Sequence, residues 1–347
     1  MKDDQLRLPP RGVNCWDVFG LPFSSHQSSC SMLQPKMFSW EQIHGDVELW
    51  VDVAIEQGLI TPKRRDKKYA WLCESRSIVP FFSKLYSLDE EGNMFVNGIT
   101  PILRDMIDEY DGIFTCDKDL VKLHDKIHFC FAGSTLPWTY KEHMEVNEKR
   151  HFCSFVASCK NMCKGHALRH ELYELIKGLG EPSEDNPNPP VHCMGSITGR
   201  PFDWEPGCHQ KNYQGNRGGW HCKSQSLKYF PYSIVMENDR YPSYFTEKIT
   251  DCFATGTVPI YWGAPDIGDY FDMKGIIQVN SVDEIMDTIF KVWDNNIHQP
   301  ESGYAIMNKM DYLMRLEAIR NNYHKTLFLE SPDDMLYRRI SELGSNK

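Results

Sequence analysis

No uninterrupted apolar run reaches the roughly 18 residues that a membrane-crossing helix needs. The opening segment, MKDDQLRLPPRG, has no apolar core of the secretory kind. No Asn-x-Ser/Thr glycosylation acceptor occurs, and twelve cysteines lie scattered singly through 347 residues, too sparse for a disulfide scaffold. These absences lead to an expectation of cytoplasmic residence, with the Golgi lumen as the alternative if the chain is a piece of a secretory protein. No internal repeat is visible, which argues against a solenoid or propeller. A basic excess is also missing: 38 Lys and Arg against 48 Asp and Glu leave a net charge of −10. Nucleic acid is therefore not the expected partner. A pocket for one small phosphate compound stays open, because it needs only two or three cations.

What is present is ordinary globular composition, 41% hydrophobic and 25% charged, which excludes wholesale disorder or coiled coil. The length suits about two domains. The spacing of Val47, Trp50, Val51, Ala54 and Ile55 predicts an amphipathic helix over Asp46 to Gly58. Strands are expected within Val13 to Phe19, at Tyr69 to Cys73 and at Gly112 to Cys116, with a helix from Ile99 to Tyr110. The alternation then restarts. Strands are expected at His151 to Ser158, Pro190 to Gly195, Ser233 to Met236 and Val258 to Trp262. Helices are expected at Ala167 to Lys177, Glu247 to Ala254, Asp283 to Asn295 and over most of Tyr304 to Leu343. Two successive α/β units joined near residue 150 are the economical organisation.

The chemistry concentrates in YFPYSIVMENDRYPSYFTEKITDCFATGTVPIYWGAPDIGDYF, residues 229 to 271. A buried strand ends there with Glu237 and Asn238 at its C-terminal edge, the edge at which open α/β sheets bind ligands. Thr246 is a good N-cap, placing Glu247 and Lys248 in the first helical turn, and Gly256 is a left-handed stop. A helix N-terminus with an adjacent lysine suits a diphosphate, and Glu247 suits sugar hydroxyls. The plain alternative is an ordinary strand–loop–helix with a surface Glu-Lys pair.

This string resembles the donor-site motif of glycosyltransferase family 10, the α-1,3/α-1,4-fucosyltransferases. Asn238, Tyr244, Thr246, Glu247, Lys248, Gly256, Pro259 and Gly263 stand at the family's spacing. The segment SFVASCKNMCKGHALRHELYELI, 154 to 176, is similar to another stretch of that family and puts Arg169 where it has an arginine on the nucleotide diphosphate. Arg suits that role because its planar fork binds phosphate oxygens in pairs. Trp71 to Ser75 resembles the family's Glu-Ser-Pro element, whose glutamate is the proposed base; that residue is Glu74 here, and Arg76 replaces the proline. Tyr110 to Leu120 is similar to an acceptor-domain strand and turn.

The resemblance implies a GT-B α/β fold, two Rossmann-like domains facing across a cleft. Residues 1–150 would bind acceptor and 151–300 nucleotide sugar. Residues 301–347 would form terminal helices, with packing back on the N-terminal domain one option. It implies inverting transfer of fucose from GDP-fucose to a glycan hydroxyl. Glu74 would be the base, Arg169 and Lys248 would face the leaving diphosphate, and Glu237, Asn238, Tyr244, Thr246 and Glu247 would hold the donor. No cofactor or metal is required by that scheme. The same fold with another nucleotide sugar, or a non-catalytic carbohydrate-binding relative, are the alternatives. Separately, Cys208, His209, His221 and Cys222 offer a zinc or disulfide arrangement, and Cys159, Cys163 and His166 another cluster. Trp204, Tyr213 and Trp220 offer sugar stacking or plain packing.

Overall fold

The computed structural model describes residues 16–19, 47–132, 135–139, 149, 151–180, 189–199, 220–298, 306–307 and 310–345. The chain forms two compact units. The first holds strands β1 (Trp16–Phe19), β2 (Val47–Val51) and β3 (Lys67–Leu72), a small hairpin of β4 (Ser87–Leu88) and β5 (Met94–Phe95), then β6 (Gly112–Thr115) and β7 (Ile127–Phe129). Its main sheet is parallel throughout, in the order β1-β2-β3-β6-β7. Helices α1 (Ile55–Ile60), α2 (Pro101–Glu109) and α3 (Lys118–Val121) complete its connections. Thr100 caps α2 by accepting from Leu103 N at 3.3 Å, with Pro101 in the first turn where no N–H is needed.

The two-residue side-chain period of the strands sorts the core. Trp50, Ala70, Leu72, Ile113 and Ile127 pack with Leu103, Met106 and Ile107 of α2. From the other face, Tyr69 meets Phe114 with ring centroids 5.7 Å apart, and Phe114 meets His128 at 5.6 Å.

One expected element is overturned here. Asp46 to Gly58 is not a single helix: Val47–Val51 is a strand, Asp52–Ala54 a 3-10 turn, and only Ile55–Ile60 is helical. All five residues of β2 are buried, Glu48 included, which accepts from Trp50 Nε1 at 3.1 Å and from the backbone of Arg65 at 2.9 Å. A strand buried on both faces has no alternation, and its chance i, i+3, i+4 spacing imitates a helix.

The second unit runs β8 (Cys153–Val156), α4 (Lys164–Lys177), β9 (Val191–Met194), α5 (Trp220–Lys228), β10 (Tyr232–Met236), α6 (Glu247–Ala254), β11 (Val258–Trp262), β12 (Ile277–Gln278) and α7 (Val282–Asn296). A hairpin of β13 (Ile297–His298) and β14 (Ile306–Met307) follows, then α8 (Met310–Phe328). The sheet order is β12-β11-β10-β8-β9, again all parallel. The chain first steps from β8 out to β9, then returns to the other side of β8 to lay down β10. That reversal makes β8/β10 the topological switch point, where the loops part and leave a crevice at the C-terminal strand ends. Helix α8 is tied to this unit: Tyr312 donates to Gly256 O at 2.7 Å, and Asn322 exchanges two hydrogen bonds with the Asp272 backbone.

The units are not two contiguous halves. Tyr241–Thr246 and Leu329–Lys347 belong to the first, and the main division falls between Leu136 and Pro137 rather than near 150. Helix α9 (Pro332–Ser345) starts at a capping Ser331, whose Oγ accepts from Asp334 N at 3.0 Å. It lies along the Tyr69/Phe114 side of the first sheet: a Cβ on Gly112 would come 3.5 Å from Leu343, and Cys130 Sγ lies 3.4 Å from Pro332 O. Burial, reinforced by the Arg339 charge, holds His128 below the usual histidine range.

Candidate functional site

At the switch point of the second sheet, β10 delivers Glu237, fully buried, and Asn238 to its C-terminal end. Glu237 N bonds Trp262 O at 2.9 Å, extending the ladder one residue. Two glycines let backbone and side chains close around this point. A Cβ on Gly263 would lie 2.7 Å from Glu237 Cγ and 2.3 Å from the Tyr261 hydroxyl. A Cβ on Gly165 would lie 2.2 Å from Glu237 O and 2.7 Å from Asn238 O, and Gly165 N donates to Asn238 O at 3.1 Å. Thus the N-terminus of α4 is pressed onto the end of β10, and only glycine permits that approach.

One turn further along α4, Arg169 donates through Nη2 to Met236 O at 2.5 Å and to Asn238 Oδ1 at 3.0 Å. It is 5% exposed, so its guanidinium is a fixed charge and not a waving surface group. Lys248, in the first turn of α6, places its ammonium 3.5 Å from Glu237 and 3.7 Å from Glu247. The cations register on His166. Burial, then the charges of Arg169, Lys160, Lys248 and His170, push its imidazole down to about 4. Its Nδ1 accepts from Met162 N at 3.1 Å, as a neutral ring should.

Behind α6 a second charge group is packed. Lys223 of α5 contacts Asp251 at 2.5 Å and Glu247 at 3.2 Å. Asp251 also accepts from the backbone of Trp138 at 2.6 Å and Thr139 at 3.0 Å. Burial raises the Asp251 carboxyl and the Lys223 charge opposes the rise. Glu247 is therefore held between two ammonium groups, an acceptor with a set orientation. The strand and helix that follow explain more of the motif. Gly256 takes φ +66, the left-handed stop its position requires. Pro259 pairs with Ser233 at a level where β12 has no partner, since β12 pairs only Ile260 and Tyr261, so its missing N–H costs little there.

The remaining expected residues lie in the first unit. Glu74 is half-buried just beyond β3, its N–H donating to Asp52 Oδ1 at 3.1 Å. Arg76, two residues on, is buried against Asp117 (Nε–Oδ2 2.7 Å, Nη2–Oδ1 2.9 Å) and donates through Nη1 to Met94 O at 2.7 Å. Its guanidinium lies 4.3 Å from the Tyr241 ring centroid and 5.0 Å from that of Tyr86. Tyr241 stacks in turn on Tyr244, centroids 4.9 Å apart. So Arg76 knits the Glu74 loop to Tyr241–Thr246. Tyr244 and the buried Thr246 are carried in that segment, whereas Arg169, Glu237, Asn238, Glu247 and Lys248 are grouped in the second unit.

Sequence reasoning passed over Gly165, Lys160, Lys223 and Asp52. A glycine opening the helix after β8 was the available signal for the first; the others join the sites by folding alone. Among the described residues no three His, Cys, Asp or Glu side chains gather as a metal site, so Cys159, Cys163 and His166 do not make one. Cys208, His209, Trp204 and Tyr213 lie outside the described residues, as do the side chains of Trp220, His221 and Cys222.

No family model matches the chain. It is similar to the alpha-(1,3)-fucosyltransferase FucT of Helicobacter pylori, 29% identical over 164 residues, which are 46% of this chain and 27% of that protein. The chain thus matches little more than a quarter of that relative's length. Among solved structures, HepE of Anabaena in complex with UDP and glucose aligns over 87% of this chain and 78% of its own, with TM-score 0.52 and 9% identity. An alpha1,3-fucosyltransferase solved with GDP-fucose aligns over 83% and 80%, with TM-score 0.40 and 17% identity. The fold is that of the GT-B glycosyltransferases. Among the described residues, no helix is long and apolar enough to cross a membrane.

Proposed function

We propose that this chain is an inverting glycosyltransferase that moves fucose from GDP-fucose to a hydroxyl of a glycan acceptor. The observation that carries the reading is the placing of Arg169, bonded to Met236 O and Asn238 Oδ1, and of Lys248, beside Glu237, at the switch point of a parallel sheet. Fixed positive charge at that place fits a diphosphate. The similarity to FucT directs the choice of sugar, and the resemblance of Trp71 to Ser75 to a Glu-Ser-Pro element directs the choice of base.

In direct displacement the acceptor oxygen attacks the anomeric carbon as the C–O bond to the diphosphate breaks. The diphosphate leaves as an anion and needs positive charge rather than a proton. Arg169 and Lys248 supply that charge, preorganised by their contacts to Asn238 and Glu237. Glu247 and Asn238 offer acceptors for sugar hydroxyls. Glu74 takes the proton of the attacking hydroxyl. This scheme uses no metal, and activity is expected to survive EDTA.

Calorimetry with GDP, UDP, GDP-fucose and UDP-glucose tests the donor: GDP compounds should bind and UDP compounds should not. Glu74→Gln tests the base. It keeps size and hydrogen bonding but cannot hold the proton, so kcat should fall about 10²–10⁴-fold with GDP affinity unchanged. A kcat within threefold of wild type places the base elsewhere.

A further inference from the structure

Asp52, the residue after β2, has φ +47, a conformation that side-chain-bearing residues rarely adopt. It is 3% exposed. Both carboxylate oxygens are turned to one place: Oδ1 accepts from Cys73 N at 2.9 Å and Glu74 N at 3.1 Å, and Oδ2 accepts from the Cys73 thiol at 2.9 Å. The side chain thus bridges the C-terminal ends of neighbouring parallel strands, β2 and β3. It fixes the two peptide N–H groups from which the Glu74 side chain hangs. Glycine would take the same backbone angle without strain, and asparagine would accept the two backbone bonds without charge. A carboxylate here is instead buried, and burial, with the Glu74 charge adding to it, pushes the Asp52 carboxyl up to about 7. A positive φ and a buried carboxyl are both locally unfavourable. Their coincidence at one residue is the pattern of a site shaped for function rather than stability.

We infer that Asp52 is the positioning residue for Glu74, locking the loop after β3 so that the Glu74 carboxylate is presented in one orientation. The inference rests on the reading of Glu74 as the base. A misplacement of about 1 Å at a reacting group costs on the order of 10²-fold in rate, which sets the scale of the expected effect.

The experiment compares Asp52→Gly, Asp52→Asn, Glu74→Gln and the double variant Asp52→Gly/Glu74→Gln in the full chain. GDP-fucose is the donor, lactose is the probe acceptor, and GDP release is the signal, whether sugar passes to lactose or to water. Asp52→Gly tolerates φ +47, so the backbone is relieved rather than broken. It should lower kcat roughly 10- to 100-fold, with GDP affinity within twofold of wild type. Asp52→Asn, which still accepts the Cys73 and Glu74 N–H bonds, should recover most of that loss. The double variant should be no slower than Glu74→Gln, because a residue that acts only through Glu74 has nothing left to position. Multiplying losses in the double variant, or Asp52→Gly turnover within threefold of wild type, overturn the inference. Glu74→Gln turnover within threefold of wild type instead overturns the base reading itself, whatever Asp52→Gly does.

Discussion

Substituting Gly165 by alanine tests whether the pressed contact between α4 and β10 builds the proposed nucleotide site. The added methyl would sit 2.2 Å from Glu237 O and 2.7 Å from Asn238 O, both backbone atoms that cannot rotate away. Ordinary contact begins near 3.4 Å, so the start of α4 must retreat by about 1 Å. Such overpacking typically costs about 1–3 kcal/mol of stability. The retreat stretches the Gly165–Asn238 bond of 3.1 Å and draws Arg169 off Met236 O and Asn238 Oδ1. Losing one charge-assisted contact to a diphosphate costs about 1.5–3 kcal/mol, a ten- to hundred-fold weakening of GDP binding. Gly178→Ala is the control: its methyl would meet only Leu175 O, at 3.2 Å, in an αR backbone at the end of α4. Urea unfolding and GDP calorimetry on both variants decide the matter. Gly165→Ala binding GDP within threefold of wild type refutes the claim that this contact positions Arg169.

Lys248→Ala should weaken GDP binding roughly ten- to hundred-fold by the same arithmetic, and unchanged calorimetric affinity removes Lys248 from the diphosphate site. Arg76→Ala leaves Asp117, 2% exposed, without its bidentate partner and takes a cation from between two tyrosine rings. Breaking a buried pair from one side costs about 3–5 kcal/mol, so a loss under about 1 kcal/mol by urea unfolding refutes the claim that the Arg76–Asp117 pair holds this loop. For Asp52 the sign follows from its raised carboxyl, about 7 against an ordinary 3.8. The folded chain holds that proton more tightly than the unfolded one, so the penalty is absent below about pH 4, grows to about pH 7 and is full above it. Asp52→Asn should therefore gain on wild type by up to about 4 kcal/mol between pH 4 and pH 8. A stability difference that does not change with pH refutes the buried-charge reading.

The second unit was largely legible because its signals are local. Buried strands such as Tyr232–Met236 and Val258–Trp262 read as short apolar runs, and Glu247–Ala254 has a polar first turn, a buried face and Gly256 as its stop. The glycines and proline of the motif are local requirements too: an αL angle at 256, a close approach at 263, a level without a β12 partner at 259. Where the signal was periodicity alone it misled, and Val47–Val51 is a strand because its neighbours on both sides, β1 and β3, bury it. No spacing rule reveals that Asp52 reaches the backbone of Glu74, that Arg76 finds Asp117 and Tyr241, or that Lys160 and Lys248 act on one histidine. The first three pairs are 22, 41 and 165 residues apart, and Lys248 is 82 from His166, so only the folded chain brings them together. The sequence determined which residue types stand at each strand end; the order in which the strands lie side by side decided which of them meet.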